Sequence, residues 1–247
     1  MKDILLVLAA AVVGLVGLSG TTPHRELGNT VDQERPFVVH VPRDFPTIQQ
    51  AVDAVAEGGT VLIGPGLYRE NLVITKSLRL IGMGQEQVVI QGVDDQKPVV
   101  FVTSQTPLQF FLQGLTITRE QLPNPNLPLS FLPSGTGIFL GGPIQATLRQ
   151  LTMTNNVGGV VVFPLLEYNE ELLHFQPQAI LEDVSLAHNG GAVLAVSASL
   201  VIVRSTVTEN EIGIMGDNLY LTYSTVRRNR FWGIRLSLPS STFGPRY

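Results

Sequence analysis

Cysteine is absent from the 247-residue chain. That excludes a disulfide scaffold, a thiolate metal site, a cysteine nucleophile and a lipid anchor on an N-terminal cysteine. Charge is also scarce: Asp, Glu, Lys and Arg make up 15 % of the residues and leave a formal net charge of -4. A nucleic-acid partner needs a clustered basic footprint, so none is expected. The histidines, at positions 24, 40, 174 and 188, are scattered and match no metal-ligand spacing. Asp94 and Asp95 stand side by side between Gly92 and Pro98. That context reads as a solvated turn, and calcium would need more oxygen ligands than this pair supplies. Calcium is therefore unsupported, and no metal site or cofactor is expected. No apolar run reaches the ~20 residues that span a bilayer comfortably.

What the chain does have begins with a distinct N-terminal segment. Lys2 precedes an apolar run from Ile4 to Val16, and Gly17, Leu18, Ser19 and Gly20 follow it. A charged start, an apolar stretch and a small-residue zone are the layout of a secretory signal. Residues 1–20 are read as a signal peptide, with an uncleaved anchor over residues 4–20 as the alternative. Residues 21–37 are polar, lack periodicity and read as a linker. Residues 38–247 then form one domain, expected outside the cytoplasm: secreted, periplasmic or at the cell surface. Membrane contact is expected only through the N-terminal segment.

One amphipathic helix is legible. Thr47 and Gln50 fit a capping box after Pro46, and Asp44 adds negative charge near the helix start. Ile48, Ala51, Val52 and Val55 share one face, and Gly58-Gly59 ends the element. Beyond it, short apolar runs separated by Gly, Pro and polar residues read as strands.

Those strands repeat. Four segments carry a hydroxyl residue, then an apolar residue, then Asn three positions on. They are Thr152-Met153-Asn156, Ser185-Leu186-Asn189, Thr206-Val207-Asn210 and Thr225-Val226-Asn229. An earlier segment keeps the register as Thr116-Ile117-Glu120. The period is about twenty residues, lengthened by an insertion at 164–177, which is the signature of a solenoid. Counted back from the Asn, positions −10, −8 and −3 are nearly all apolar and are assigned to inward columns. Asn156, Asn189, Asn210 and Asn229 form a structural ladder, because a buried amide is stable only when its neighbours pair with it. The fold class is therefore all-β: a single-stranded right-handed parallel β-helix with an N-terminal capping α-helix. Phe231 and Trp232, with Arg227, Arg228 and Arg230, are read as a cap on the last turn, with contact to an anionic polymer or a membrane surface as the alternative.

The opening of the domain carries a family resemblance. Thr47-Ile48-Gln49, Ala51-Val52, Pro65-Gly66-Leu67-Tyr68-Arg69-Glu70 and Leu80-Ile81-Gly82 resemble the start of proteins of the pectin-lyase-like superfamily. Pectin methylesterases and periplasmic copper-related β-helix proteins open similarly. The resemblance implies the β-helix fold and a working groove over the first strand of each turn. It implies no activity: the catalytic signatures of pectin methylesterases, pectate lyases and polygalacturonases are missing here. Few Met and scattered His disfavour a copper-related role.

The register puts polar residues in that groove. Arg149, Glu182, Asp183 and Arg204 fall in adjacent exposed columns, with Tyr220 and Tyr223 beside them. Tyr168, in the second insertion, is placed to wall the groove. Arg204, Asp183 and Glu182 are the candidate catalytic residues, and Arg149, Tyr220, Tyr223 and Tyr168 the candidate ligand-binding ones. The same charges, stacked one strand apart, also read as plain cross-strand pairs. Two function classes stay open. One binds or processes a polysaccharide or cell-envelope glycan, uronate type favoured, as a lyase, esterase or epimerase if it is an enzyme. The other is a non-catalytic surface or periplasmic module for structure or adhesion. A monomer is expected.

Overall fold

The computed structural model describes residues 35–120, 134–164 and 176–236. The signal segment, most of the linker, Tyr168, most of the 164–177 insertion and most of a Pro-rich insertion at 121–134 lie outside the described residues.

The chain opens with β1 (Val38–Val41) and α1 (Ile48–Ala54). The next turn runs through β2 (Thr60–Ile63), β3 (Gly66–Arg69) and β4 (Leu72–Ile74). The following one holds β5 (Leu78–Gly82), β6 (Val88–Gly92) and β7 (Val100–Thr103). Longer strands then bend around corners: β8 (Leu108–Arg119), β9 (Thr136–Gly141), β10 (Ile144–Thr154) and β11 (Gly158–Phe163). The later turns comprise β12 (Gln178–Glu182), β13 (Ser185–Ala187), β14 (Gly191–Val203) and β15 (Thr206–Thr208). They close with β16 (Ile212–Thr222), β17 (Thr225–Arg227) and β18 (Trp232–Leu236).

Every pairing is parallel and joins one turn to the next, so the strands stack in three columns. The first face is built from β1, β2, β5, the starts of β8 and β10, β12, and the ends of β14 and β16. The second stacks β3, β6, the ends of β8 and β10, β13, β15 and β17. The third stacks β4, β7, β9, β11, the starts of β14 and β16, and β18. This is a parallel β-helix, the fold that the pectin-lyase-like resemblance implied.

The inward columns are those of the repeat. Phe110, Ala146, Ala179 and Leu200 are buried in register, as are Leu112, Leu148, Leu181 and Ile202, and Ile117, Met153, Leu186 and Val207. Burying such a side chain stabilises by roughly 1.5–3 kcal/mol relative to exposure.

Each corner repeats one backbone conformation. Between the first and second faces, Gln150, Asp183, Arg204 and Tyr223 all take positive φ. Gly114 occupies the same corner in β8, where a Cβ would come within 2.4 Å of the Gly82 carbonyl oxygen. Between the second and third faces, Asn155, His188, Glu209 and Arg228 take positive φ, each just before a ladder position. Left-handed backbone is unfavourable for residues with a Cβ, so hydrogen bonds at the corners must hold it.

The asparagine ladder provides them. The Asn189 Oδ1 accepts from the backbone N–H of Asn156 and from its Nδ2, both at 3.1 Å. Asn210 does the same for Asn189, and Asn229 for Asn210. Each Nδ2 also donates to carbonyls of its own and the previous turn, such as Ala187 and Met153 for Asn189. Glu120 keeps the register but not the ladder: it is exposed and lies 3.8 Å from Arg69. The Asn156 Oδ1 is consequently buried without a partner. The first corner has a shorter serine ladder, in which Ser205 and Ser224 hydroxyls accept from Val184 and Ser205 N–H at 3.0 and 3.1 Å.

Two ends differ from the sequence-based expectations. The capping helix was expected at the N-terminal end, and β1 precedes it: β1 pairs with β2 and makes His40 part of the first rung. Helix α1 thus sits between the first two rungs rather than before them. Its face of Ile48, Ala51, Val52 and Val55 is buried, and Thr47 Oγ1 accepts from Gln50 N–H at 3.2 Å. The acidic group at the helix start is Glu70, whose two carboxylate oxygens accept from Ile48 and Gln49 N–H at 2.9 and 3.0 Å. Asp44 instead binds His40 and Arg43, and the Arg43 guanidinium holds its carboxyl well below the usual range. The Gln49 amide bonds both the N–H and the carbonyl of Val73, covering the free edge of β4.

At the other end, Trp232 is no cap. It pairs in register with Ile212 and is 47 % exposed. The core positions of β18, Ile234 and Leu236, are 48 % and 66 % exposed, so among the described residues nothing covers the last turn.

Candidate functional site

The first face presents three outward columns, because side chains on a strand alternate between core and surface. At the strand starts, Gln109, Gln145 and Gln178 stand in register, one turn apart. In mid-strand run Arg79, Phe111, Thr147, Ile180, Val201 and Tyr220. Toward the strand ends run Gln113, Arg149, Glu182, Val203 and Thr222.

A groove of about 440 Å³ runs along the first two columns. Its lining includes Ser77, Arg79, Gln109, Phe111, Gln145 and Gln178, and it spans β5, β8, β10 and β12. The Arg79 guanidinium lies 4.4 Å from the Phe111 ring centroid. Ser77 Oγ accepts from the Gln109 N–H at 3.1 Å, fixing the strand start that carries the first glutamine. The lining thus offers an aromatic face, one cation and a row of amides, each able to donate and accept. Among the described residues it contains no carboxylate, imidazole or lysine.

The residues singled out from the sequence lie elsewhere on the same face. Arg204 is bidentate to Asp183, at 2.9 and 3.1 Å, and also bonds Glu182. The Arg149 Nε lies 3.6 Å from the other Glu182 oxygen, too far for a hydrogen bond. The four therefore form one ion-pair chain across adjacent turns. The Arg204 hydrogen bonds hold the Asp183 carboxyl below its ordinary range, and Asp183 in turn raises the Arg204 guanidinium. Asp183 and Arg204 occupy the positive-φ corner, which sets them at the margin of the face rather than in the groove. Acid, base or substrate-binding work by Arg204, Asp183 or Glu182 would require release from this chain.

Tyr220 and Tyr223 are 66 % and 88 % exposed. Tyr220 continues the Arg79–Phe111 column two rungs past Ile180, beyond the groove, and Tyr223 sits at the corner. Tyr168 lies outside the described residues. In the Asp94–Asp95 turn, Asp94 accepts from Gln96 N–H at 2.9 Å and pairs with Lys97 at 2.9 Å. Among the described residues no group of three or more His, Asp or Glu is arranged to hold a metal.

Sequence reasoning missed the glutamine column and the Arg79–Phe111 pair. A signal was present: Gln recurs eleven positions before Glu120, Asn156 and Asn189, the register that locates every other column. It also missed Arg119. Its side chain is fully buried and donates to the carbonyls of Gly135 at 3.1 Å, Asp94 at 3.0 Å and Lys97. It thereby ties the 94–97 turn to the start of β9.

No known family's sequence profile matches the chain. Over 103 residues it is 27 % identical to a cell surface glycoprotein of Methanothermus fervidus. That match covers 41 % of this chain and 15 % of the relative. Among solved structures it is similar to the A-module of an Azotobacter vinelandii mannuronan C-5 epimerase (TM-score 0.49, 20 % identity, 76 % of this chain and 52 % of that one). It is also similar to the pre-mature bacteriophage phi29 gene product 12 (TM-score 0.49, 13 % identity, 73 % and 27 %). A pectin methylesterase solved with a hexasaccharide follows at TM-score 0.40, with 12 % identity and 74 % and 78 % coverage. At these identities the likeness is one of fold.

Proposed function

We propose that this chain is an extracytoplasmic, surface-associated β-helix that binds an extended polysaccharide along its axial groove without cleaving it. The observation that carries the proposal is the groove lining. Arg79 over Phe111 and the row of Gln109, Gln145 and Gln178 match the apolar ring faces and the regularly spaced hydroxyls of a sugar chain. Strands stack at ~4.8 Å, close to the rise of one extended sugar ring, so the column suits a polymer lying across several turns. Binding without cleavage is the reading that the described lining favours: general acid–base catalysis needs a titratable group within hydrogen-bond reach, and among the described residues the lining has neither carboxylate nor imidazole. Arg79 is the one charge among the described lining residues, which favours a chain carrying carboxylates, such as a uronate polymer. The apolar segment at residues 4–16 and the cell surface glycoprotein relative support the location.

Calorimetric titration of the full chain with uronate and neutral oligosaccharides tests this, alongside product analysis of the same mixtures. The expected result is saturable binding, weakened by Arg79→Ala and by Phe111→Ala, with no shortened, unsaturated or epimerised product. Absence of binding to every glycan overturns the reading. Turnover abolished by Arg204→Gln would instead favour the catalytic role of the Arg204–Asp183–Glu182 chain.

A further inference from the structure

The last turn has a composition unlike the rest. Residues 218–236 contain Arg227, Arg228, Arg230 and Arg235 and no Asp or Glu, in a chain whose net charge is -4. All four arginines are exposed. Arg228 and Arg230 lie 3.6 and 3.5 Å from Glu209 and Glu211 of the turn before. Among the described residues neither Arg227 nor Arg235 pairs with a carboxylate. Large apolar side chains are exposed beside them: Phe231 58 %, Trp232 47 %, Ile234 48 % and Leu236 66 %. Arg235 stacks on Trp232 at 4.6 Å and Arg230 on Phe231 at 5.1 Å.

We infer that this end of the solenoid is a docking surface for an anionic lipid bilayer. Charge complementarity selects an anionic partner: of the four guanidiniums on this turn, two are offset by Glu209 and Glu211 of the turn before, and Arg227 and Arg235 carry their charge outward without a carboxylate among the described residues. The exposed side chains select lipid over a soluble polyanion. Ile234 and Leu236 offer aliphatic surface that a sugar or phosphate chain has no means to cover, whereas the acyl boundary of a bilayer does. Trp and Phe ringed by Arg is the composition that settles at the headgroup level, with rings in the apolar boundary and guanidiniums on phosphates. The free edges of β16, β17 and β18 stay at that level too, where phosphates and water can satisfy their backbone groups. This contact is separate from the groove, which lies on earlier turns.

The chain has a single tryptophan, so Trp232 emission reports on this surface alone. The full chain is mixed with vesicles of phosphatidylglycerol and phosphatidylcholine in equal parts, or of phosphatidylcholine only, and floated on a gradient. Expected are a blue shift of Trp232 emission and about tenfold more floated protein with the anionic vesicles, both lost in high salt. Arg227→Gln with Arg235→Gln, on exposed positions, lowers flotation on the order of tenfold. Flotation with no Trp232 shift places the attachment elsewhere, for example in residues 4–16, and overturns the inference. Equal binding to neutral vesicles, or the same Trp232 shift with soluble polygalacturonate, also overturns it. A folded double variant that floats like the parent does so as well.

Discussion

The Arg79 guanidinium lies over the Phe111 ring of the adjacent turn, 4.4 Å from its centroid. Phe111 is half-buried and therefore held in place by its surroundings, while one face of the groove remains open to it. Replacing Phe111 with Ala should cost roughly 0.5–1.5 kcal/mol of glycan binding, about the worth of an aromatic contact, or up to tenfold in Kd. Calorimetry on the Phe111→Ala chain checks the value, and thermal unfolding should change little.

The ladder predicts a graded series. Asn189→Ala leaves the buried N–H of Asn156 and the carbonyl of Met153 without partners, so it should cost about 3 kcal/mol or more. Asn229→Ala removes the same group from the half-exposed last turn, and water can replace it. About 1 kcal/mol is expected there. Urea unfolding of the two variants gives the comparison, and equal losses would contradict a ladder stabilised by burial.

Glu70 receives two helix N–H groups, at 2.9 and 3.0 Å. Glu70→Ala should destabilise by about 1–2 kcal/mol, as loss of a helix cap does. Glu70→Gln keeps one acceptor and should recover part of that. Differential scanning calorimetry distinguishes the two.

Arg119 is buried among carbonyl oxygens, with the partly exposed Asp95 at 3.4 Å. Burial pushes its guanidinium below the ordinary value, and an arginine stays charged in a protein. Arg119→Met removes the charge and strands several carbonyls. A loss of about 3–5 kcal/mol is expected, the range for breaking a buried ionic contact. Protease susceptibility at the 94–97 turn should rise with it.

Acid should weaken the first-face corner. The Asp183 carboxyl is held below its ordinary range, first by hydrogen bonds from Arg204. A depressed folded-state value means stability that is present above the unfolded value, near ~3.9, and is lost as pH falls through the folded value. Asp94, held low by Lys97, acts in the same direction. Melting temperature should therefore fall below about pH 4. In Asp183→Asn it should be lower at neutral pH and fall less steeply in acid, which a pH series of thermal melts measures.

Much of the architecture was legible because it repeats. Phe110, Leu112 and Ile117 each recur as apolar residues at a fixed offset from a ladder position, and one strand register explains them all. The helix stripe from Ile48 to Val55 was legible for the same reason. What was not legible depends on relations that offsets do not carry. Arg79 precedes the clear repeats, so its partnership with Phe111 appears only once β5 is seen beside β8. Arg119 looks like a surface residue in sequence, and only the fold of the 94–97 turn buries it. Asp183 and Arg204 were assigned to exposed columns; Arg204 is exposed and Asp183 half-buried, and their left-handed backbone sets them at the corner of the face. Trp232 was expected to cover the last turn, but it stands in register with Ile212 and is 47 % exposed, a placement that the repeat offset alone does not carry.

The asparagine ladder is also polar in a vectorial sense. From Asn156 to Asn210, each side-chain amide gives its N–H to the next turn, and from Asn189 onward each oxygen faces the turn before. Peptide dipoles alternate along each strand and largely cancel, but these amide dipoles point the same way and add. Their negative pole is the unpartnered Asn156 Oδ1, sealed inside the solenoid, and their positive pole emerges at Asn229. The potential of the column therefore has the same sign as the arginines around the last turn. Whatever anion approaches that end meets a field that begins in the middle of the protein.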